Sequence, residues 1–104
     1  MSALFGTRVV DLTARWGDLA GRILAELGAD VVKIEPPGGA PARRLGPFIN
    51  DRHDGPETSL TWMAVGRGKK SVVIDRDDAD DRAALAALIA GADVLIDNGD
   101  AVDG

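Results

Sequence analysis

Short apolar runs rich in β-branched residues recur along the chain and predict four strands. These runs are Arg8–Leu12, Val31–Ile34, Ser71–Asp75 and Val94–Ile96. The second run is typical of a strand covered on both faces, and it stops at Glu35, which two prolines follow. The chain therefore turns at the carboxyl end of this strand, where open α/β sheets bind ligands.

Stretches in which apolar residues recur at helical spacing lie between these runs. Leucine, isoleucine and alanine recur on one face from about Asp18 to Leu27 and predict a helix with an apolar face. The alanine- and leucine-rich stretch Asp77–Ala90 predicts another, with acidic residues in its first turn. Both stretches end in Gly-Ala-Asp, and Gly28 suits the left-handed conformation that closes a helix.

The connection between the second and third strands has little periodicity. Gly38–Glu57 predicts a long surface loop, and Thr58–Ala64 predicts a short helix that begins at a threonine or serine cap. Strands that alternate with helices imply right-handed crossovers and a parallel sheet. The fold class that we predict is α/β and Rossmann-like, with a mostly parallel sheet flanked by helices.

Composition narrows the class of protein. With 104 residues the chain forms one domain at most, and a hydrophobic content of 45% indicates a globular protein. A net charge of −5 argues against broad binding of nucleic acid or of an anionic membrane. No stretch has the length of a membrane span and no secretory signal is visible, so we expect a cytoplasmic location. Cysteine is absent from the sequence, which excludes disulfides and thiolate catalysis.

A dinucleotide-binding fold is the first alternative. The turn after the first strand reads TARWGDLAG, which lacks the G-x-G-x-x-G pattern, and Asp18 would repel a phosphate there. Glu35 stands where such folds bind ribose, but an exposed carboxylate at a strand end is the more frequent case. Nicotinamide dinucleotide binding is therefore disfavoured.

A basic turn offers a better phosphate site. Gly66–Lys70 reads GRGKK, in which glycines permit close backbone approach and the cations attract phosphate. Alone, such a turn is more often a solvated edge. Trp16 and Trp62 are more often packing residues than ligand-stacking ones.

Several motifs resemble the N-terminal part of the family III CoA-transferases. That family includes formyl-CoA transferase, carnitine CoA-transferase and α-methylacyl-CoA racemase. The motifs that carry the resemblance, in family order and spacing, are RVVDLT at 8–13, LGADVVKIEPPGG at 27–39, Gly46-Pro47, RGKKSVVID at 67–75 and ADVLIDN at 92–98. The resemblance covers nearly the whole chain and roughly the first quarter of a typical member.

The resemblance implies a set of residues that handle coenzyme A or acyl-CoA. These cofactor-binding residues are Arg15, Trp16, Arg67, Lys69, Lys70, Ile74, Arg76 and Asn98. Family members transfer CoA between carboxylic acids through an aspartyl-CoA thioester, and the resemblance places that aspartate beyond residue 104. We therefore expect no catalytic residue in this chain and no activity of the chain alone. No metal is expected.

The chain departs from the family pattern at several positions. The turn after the first strand is one residue shorter than the usual A-G-P version. Asp77 occupies the position of a family lysine, and Gly99 replaces an aromatic residue.

Three hypotheses remain open. Residues 1–104 are the N-terminal segment of a CoA-transferase or acyl-CoA racemase, a non-catalytic CoA- or nucleotide-binding module, or an interaction protein. The expected partners are acyl-CoA and carboxylic acid substrates, but neither nucleic acid nor a membrane. We also expect self-association or a complementing C-terminal polypeptide, because Val31–Ile34 and Val94–Ile96 would be poorly covered.

Overall fold

A four-stranded parallel sheet organises the chain. The computed structural model describes residues 3–13, 18–49 and 58–97. Its strands are β1 (Arg8–Asp11), β2 (Asp30–Glu35), β3 (Lys70–Val73) and β4 (Val94–Ile96). They lie in the order β3-β2-β1-β4, and every pairing is parallel. The predicted α/β class with a parallel sheet is confirmed.

Helices connect the strands of this sheet. They are α1 (Asp18–Glu26), a 3-10 helix (Pro41–Arg44), α2 (Leu60–Gly66) and α3 (Ala79–Ala90). The side chain of Ser59 caps α2 by accepting from the Trp62 N–H at 3.1 Å, as the sequence predicted for a threonine or serine. Among the described residues, no helix is long and apolar enough to cross a membrane.

The two Gly-Ala-Asp segments end their helices in different ways. Gly28 has a φ of 101° and closes α1 in the predicted left-handed conformation. Gly91 has a φ of −89° and donates its N–H to Ala87 O at 3.2 Å instead. The repeated sequence therefore does not repeat the backbone conformation.

The two faces of the sheet differ in chemistry. On one face Val10, Val32 and Ile34 form an apolar cluster that packs against α3. On the other face, Val9 and Val31 pack against α1 near the amino ends of the strands. Further along the same face the side chains become charged, because strand residues alternate between faces and Asp11, Lys33 and Glu35 follow at spacings of two.

The segment after β2 differs from the predicted surface loop. Within its described part, residues 38–49, Ala40 and Ala42 are buried and contact the buried Trp62 of α2. The prediction of a surface loop is wrong for residues 39–43, since the 3-10 helix packs against Trp62 and bonds to Glu35, whereas residues 44–47 are exposed as predicted. Trp62 is a packing residue, as expected.

Helix α1 and Leu27, which follows it, expose a stripe of large apolar side chains. Leu19, Ile23 and Leu27 are 54%, 47% and 45% exposed, whereas Leu24 packs on the sheet. On β4, Val94 and Leu95 are also exposed, as predicted. The prediction that Val31–Ile34 would be poorly covered is wrong, because the central position of β2 buries that run.

Candidate functional site

A cleft opens at the carboxyl ends of β1, β2 and β3. Its volume is about 400 Å³. The walls are formed by Leu12 and Thr13 after β1, the segment 34–37 at the end of β2, Ala40 and Pro41 beside it, and the segment 74–77 after β3. The cleft lies at the sheet edge where open α/β folds bind ligands, which the turn at Glu35 predicted.

Glu35 is buried beneath one wall of the cleft. Its Oε1 accepts from Arg43 Nε at 2.6 Å and from the Ala40 N–H at 2.7 Å, and its Oε2 accepts from Arg43 Nη2 at 2.8 Å and from the Ser71 hydroxyl. Burial by itself raises the pKa of this carboxyl, but the bonds from Arg43, Ser71 and Ala40 outweigh it and lower the pKa to about 2. The prediction of an exposed carboxylate is wrong: Glu35 is 1% exposed.

Arg43 contacts an aromatic ring as well as Glu35. Its guanidinium lies 4.1 Å from the centre of the Trp62 ring, so one cation binds a carboxylate and an aromatic face together. Gly39 permits this arrangement, because a Cβ there would lie 2.6 Å from Arg43 Cδ and its φ is 96°. The Glu35–Arg43 pair thus fixes the 3-10 helix and the Ala40–Pro41 wall to the sheet.

A second buried group lies on the same face, and we call it the lysine–aspartate cluster: Asp11, Asp18, Lys33 and Lys69. Lys33 Nζ donates to Asp18 Oδ1 at 2.7 Å and lies 3.5 Å from Asp11 Oδ1. Lys69 Nζ donates to Asp11 Oδ2 and to the carbonyl oxygen of Asp18, both at 2.8 Å. Each of these side chains is at most 7% exposed.

The lysine–aspartate cluster ties the end of β1 to the start of α1. Lys33 also donates to the Thr13 hydroxyl at 2.9 Å and to the Thr13 carbonyl, while Thr13 lines the cleft. Burial raises the pKa of Asp11, but the bonds from Lys69 and Thr13 and the charge of Lys33 outweigh it and hold that pKa below its ordinary value. Asp18 is turned into the cluster, so the interpretation of its carboxylate as a phosphate-repelling group at the helix start is wrong.

The structure separates the sequence-predicted site residues. Ile74 and Arg76 both line the cleft. Arg67 and Lys70 lie before or at the amino end of β3, and Lys70 Nζ is 3.0 Å from Asp30 Oδ1. A strand of this length separates its two ends by roughly 10 Å, so these cations lie at the opposite edge of the sheet. Lys69, 1% exposed, directs its ammonium into the lysine–aspartate cluster.

Arg15, Trp16 and Asn98 lie outside the described residues. Their predicted contacts to CoA stay predictions, as do those of the other cofactor-binding residues.

Sequence reasoning missed Lys33, Arg43 and Thr13. One signal was available for Lys33, which interrupts an otherwise apolar central strand where a charge needs a partner. Arg43 gave no local signal, because its partner Glu35 stands eight residues earlier and across a turn.

Similarity to known proteins now decides the family. The family model of CoA-transferase family III matches residues 4–102. The chain belongs to this family.

Relatives of known name agree with this assignment. The chain is 41% identical over 101 residues to succinyl-CoA:mesaconate CoA-transferase of Haloarcula hispanica, covering 94% of this chain and 25% of the relative. It is 42% identical over 97 residues to the succinyl-CoA–L-malate CoA-transferase alpha subunit of Chloroflexus aurantiacus, covering 91% and 22%. A CAIB/BAIF family protein from Brucella suis superposes with a TM-score of 0.81 at 36% identity, covering 92% and 25%. The chain thus spans about a quarter of the length of these relatives.

Gly21 of α1 provides a test of the lysine–aspartate cluster. A Cβ at this position would lie 2.6 Å from Asp11 Oδ2 and 2.9 Å from Lys69 Cε. Although alanine is favoured over glycine in a helix by about 1 kcal/mol, we expect Gly21→Ala to lower the free energy of unfolding by about 1–3 kcal/mol. Urea denaturation followed by circular dichroism measures the change.

The control for this test is Gly91→Ala, where the nearest atom to a new Cβ is 3.7 Å away and φ is negative. An equal loss of stability in both variants, or a gain in Gly21→Ala, would contradict the predicted clash.

Glu35 gives the stability of the chain a defined dependence on pH. Since folding lowers its pKa from 4.5 to about 2, the stabilisation is complete above 4.5 and is lost as the pH falls toward 2. We expect the difference in free energy of unfolding between the native chain and Glu35→Gln, on the order of 3 kcal/mol at neutral pH, to shrink across that range.

Denaturant titrations at several pH values measure this difference. Glu26→Gln, which alters an exposed pair with Arg22 at 2.9 Å, is the control and should show little change with pH. A difference for Glu35→Gln that stays constant from pH 6 to pH 2 would refute the assignment.

Proposed function

We propose that residues 1–104 form the N-terminal, Rossmann-like segment of a family III CoA-transferase and supply one wall of its CoA-binding cleft. The observation that carries the proposal is the cleft at the carboxyl edge of the sheet. Ile74 and Arg76 line this cleft, and the chain belongs to the family. The family resemblance independently associates these two residues with the adenine pocket.

The walls of the cleft suit the adenosine end of CoA. Leu12, Ile34 and Ile74 present aliphatic surface, and the prolines 36, 37 and 41 add rigid apolar surface. Ligand sites typically combine such apolar walls with a few placed polar groups. Arg76 is the cation among the lining residues, and its guanidinium can bind one end of a diphosphate.

The proposed reaction of the complete enzyme is the transfer of CoA from an acyl-CoA to a carboxylic acid. Its aspartyl-CoA thioester needs a carboxylate nucleophile, which the family pattern places beyond residue 104. We therefore propose that this chain binds without catalysing, in the cytoplasm and without a metal. Membership in the acyl-CoA racemase branch is the alternative for the complete protein, and a non-catalytic CoA- or nucleotide-binding module is the alternative for the chain.

Two arginines at opposite edges of the sheet test the location of the CoA site. We expect Arg76→Ala to weaken CoA binding about fivefold or more, because it removes the cation of the cleft, and Arg67→Ala to have little effect. Isothermal titration calorimetry with CoA measures both affinities.

The outcomes of this titration separate the hypotheses. A larger loss in Arg67→Ala than in Arg76→Ala would return the phosphate site to the basic turn 66–70. The absence of heat at millimolar CoA with the native chain would exclude a CoA-binding module.

The exposed apolar surface supports a second proposal, which is an interaction with further polypeptide. The outward stripe of α1 and the exposed residues of β4 present large apolar side chains to the surface. Surfaces of this kind mark contact sites. We propose that the chain self-associates or pairs with a complementing C-terminal polypeptide.

A charge placed in the α1 stripe tests self-association. We expect Ile23→Glu to lower the association constant at least tenfold, because burying an unpaired carboxylate in a contact is costly. Sedimentation velocity over rising protein concentration measures it. Ala86→Glu adds the same charge at an exposed position of α3, on the other face of the sheet, and is the control.

A native chain that remains monomeric at high concentration would refute self-association. An equal loss in both variants would instead indicate a general effect of charge and remove the stripe from the contact.

A further inference from the structure

The cleft offers a phosphate few hydrogen-bond donors. Three of its lining residues are prolines, which have no backbone N–H. Many of the other backbone N–H groups donate to protein oxygens: Leu12 to Ile96 O, Thr13 to Asp11 Oδ1, Ala40 to Glu35 Oε1, Ile74 to Glu35 O, Asp75 to Asp81 Oδ2 and Asp77 to Asp75 Oδ1. Phosphate sites in proteins usually depend on free backbone N–H groups, so this wall lacks their main element.

The charge beside β3 also disfavours a phosphate. Asp75 and Asp77 line the cleft on either side of Arg76, and three more aspartates follow at 78, 80 and 81. Arg82 lies beside them, where it donates to the carbonyl oxygen of Arg76 at 2.8 Å. The segment 75–82, which we call the rim, thus has five carboxylates and two arginines, and its net charge is negative.

The carboxylates of the rim differ in the hydrogen bonds that they accept. Asp75 accepts from the Asp77 N–H at 2.9 Å, Asp78 caps α3 by accepting from the Asp81 N–H at 3.0 Å, and Asp81 accepts from the Asp75 N–H at 2.8 Å. The carboxylate of Asp77 makes no hydrogen bond or ion pair within the described residues, and it stands in the lining itself. It is therefore the carboxylate most available to meet a ligand.

From these contacts we infer that the cleft accepts an uncharged adenosine group and disfavours a phosphate on its ribose, with Asp77 as the residue that sets this preference. The inference rests on the proposed CoA site and makes it more specific. Dephospho-CoA lacks only the 3′-phosphate of CoA and keeps the diphosphate that Arg76 can bind. The native chain then binds dephospho-CoA more tightly than CoA.

Paired titrations of the 104-residue chain with CoA and dephospho-CoA test this selectivity. We expect an affinity for dephospho-CoA about threefold or more above that for CoA at low salt, which corresponds to the effect of one exposed charge pair. The ratio should fall toward one as added salt screens the rim. Asp77→Asn should reduce the ratio, and Asp77→Lys should reverse it in favour of CoA.

Asp80→Asn is the matched control, because Asp80 lies in the first turn of α3 but not in the cleft lining. Its ratio should stay closer to that of the native chain than the ratio of Asp77→Asn does, and circular dichroism should show each variant folded. Tighter binding of CoA than of dephospho-CoA by the native chain would overturn the selectivity while preserving the CoA site. A ratio that Asp77→Lys leaves unchanged would overturn the role of Asp77. Binding of neither ligand would overturn the proposed CoA site, and the selectivity with it.

Discussion

The architecture at the carboxyl edge of the sheet depends on four buried charges. In the lysine–aspartate cluster, Lys33 and Lys69 reach the carboxylates of Asp11 and Asp18 and thereby join β1, β2, α1 and the segment before β3. Removing such charges from water is costly, and only a complete set of partners offsets the cost. The cluster therefore stabilises the edge in one arrangement, because any displacement of α1 leaves an ammonium or a carboxylate buried without its partner.

The face of the sheet that carries the lysine–aspartate cluster changes from apolar to charged along the strands, toward the cleft. The amino half of the face is closed by aliphatic packing of Val9 and Val31 against α1. The carboxyl half is closed by ion pairs, first the cluster and then Glu35 with Arg43. Apolar contacts have no preferred direction, whereas hydrogen bonds near 2.7 Å fix both distance and direction. The walls of the cleft are thus positioned by directional bonds, while the apolar core under α3 supplies burial.

Local pattern predicted the elements of the fold but not the pairing of charges. The β-branched runs located all four strands within a residue or two, and the serine cap located α2, because those signals lie within a few neighbouring residues. Lys69, in contrast, was predicted to bind CoA from a basic turn, although its ammonium meets Asp11 from 58 residues away. Glu35 was assigned to the surface for the same reason, since Arg43 and Ser71 approach it only after the chain has turned. The turn at Glu35 predicted the edge of the sheet at which the cleft opens, and tertiary contacts decided most of its walls. Ile74 and Arg76, which the family resemblance named, line the cleft, and their contacts with CoA stay predictions.

The strand order explains why Thr13 is central to the site. The chain adds β2 and β3 on one side of β1 and β4 on the other, so its winding reverses between β1 and β4. A crevice outside the carboxyl ends at such a reversal is where open α/β sheets bind ligands. The cleft described above lies on the β2–β3 side of β1, so an elongated ligand that reaches both places must cross the end of β1. Thr13 stands at that crossing, and Lys33 holds both its hydroxyl and its carbonyl. The buried lysine therefore fixes the backbone and the hydroxyl of Thr13 at the end of β1.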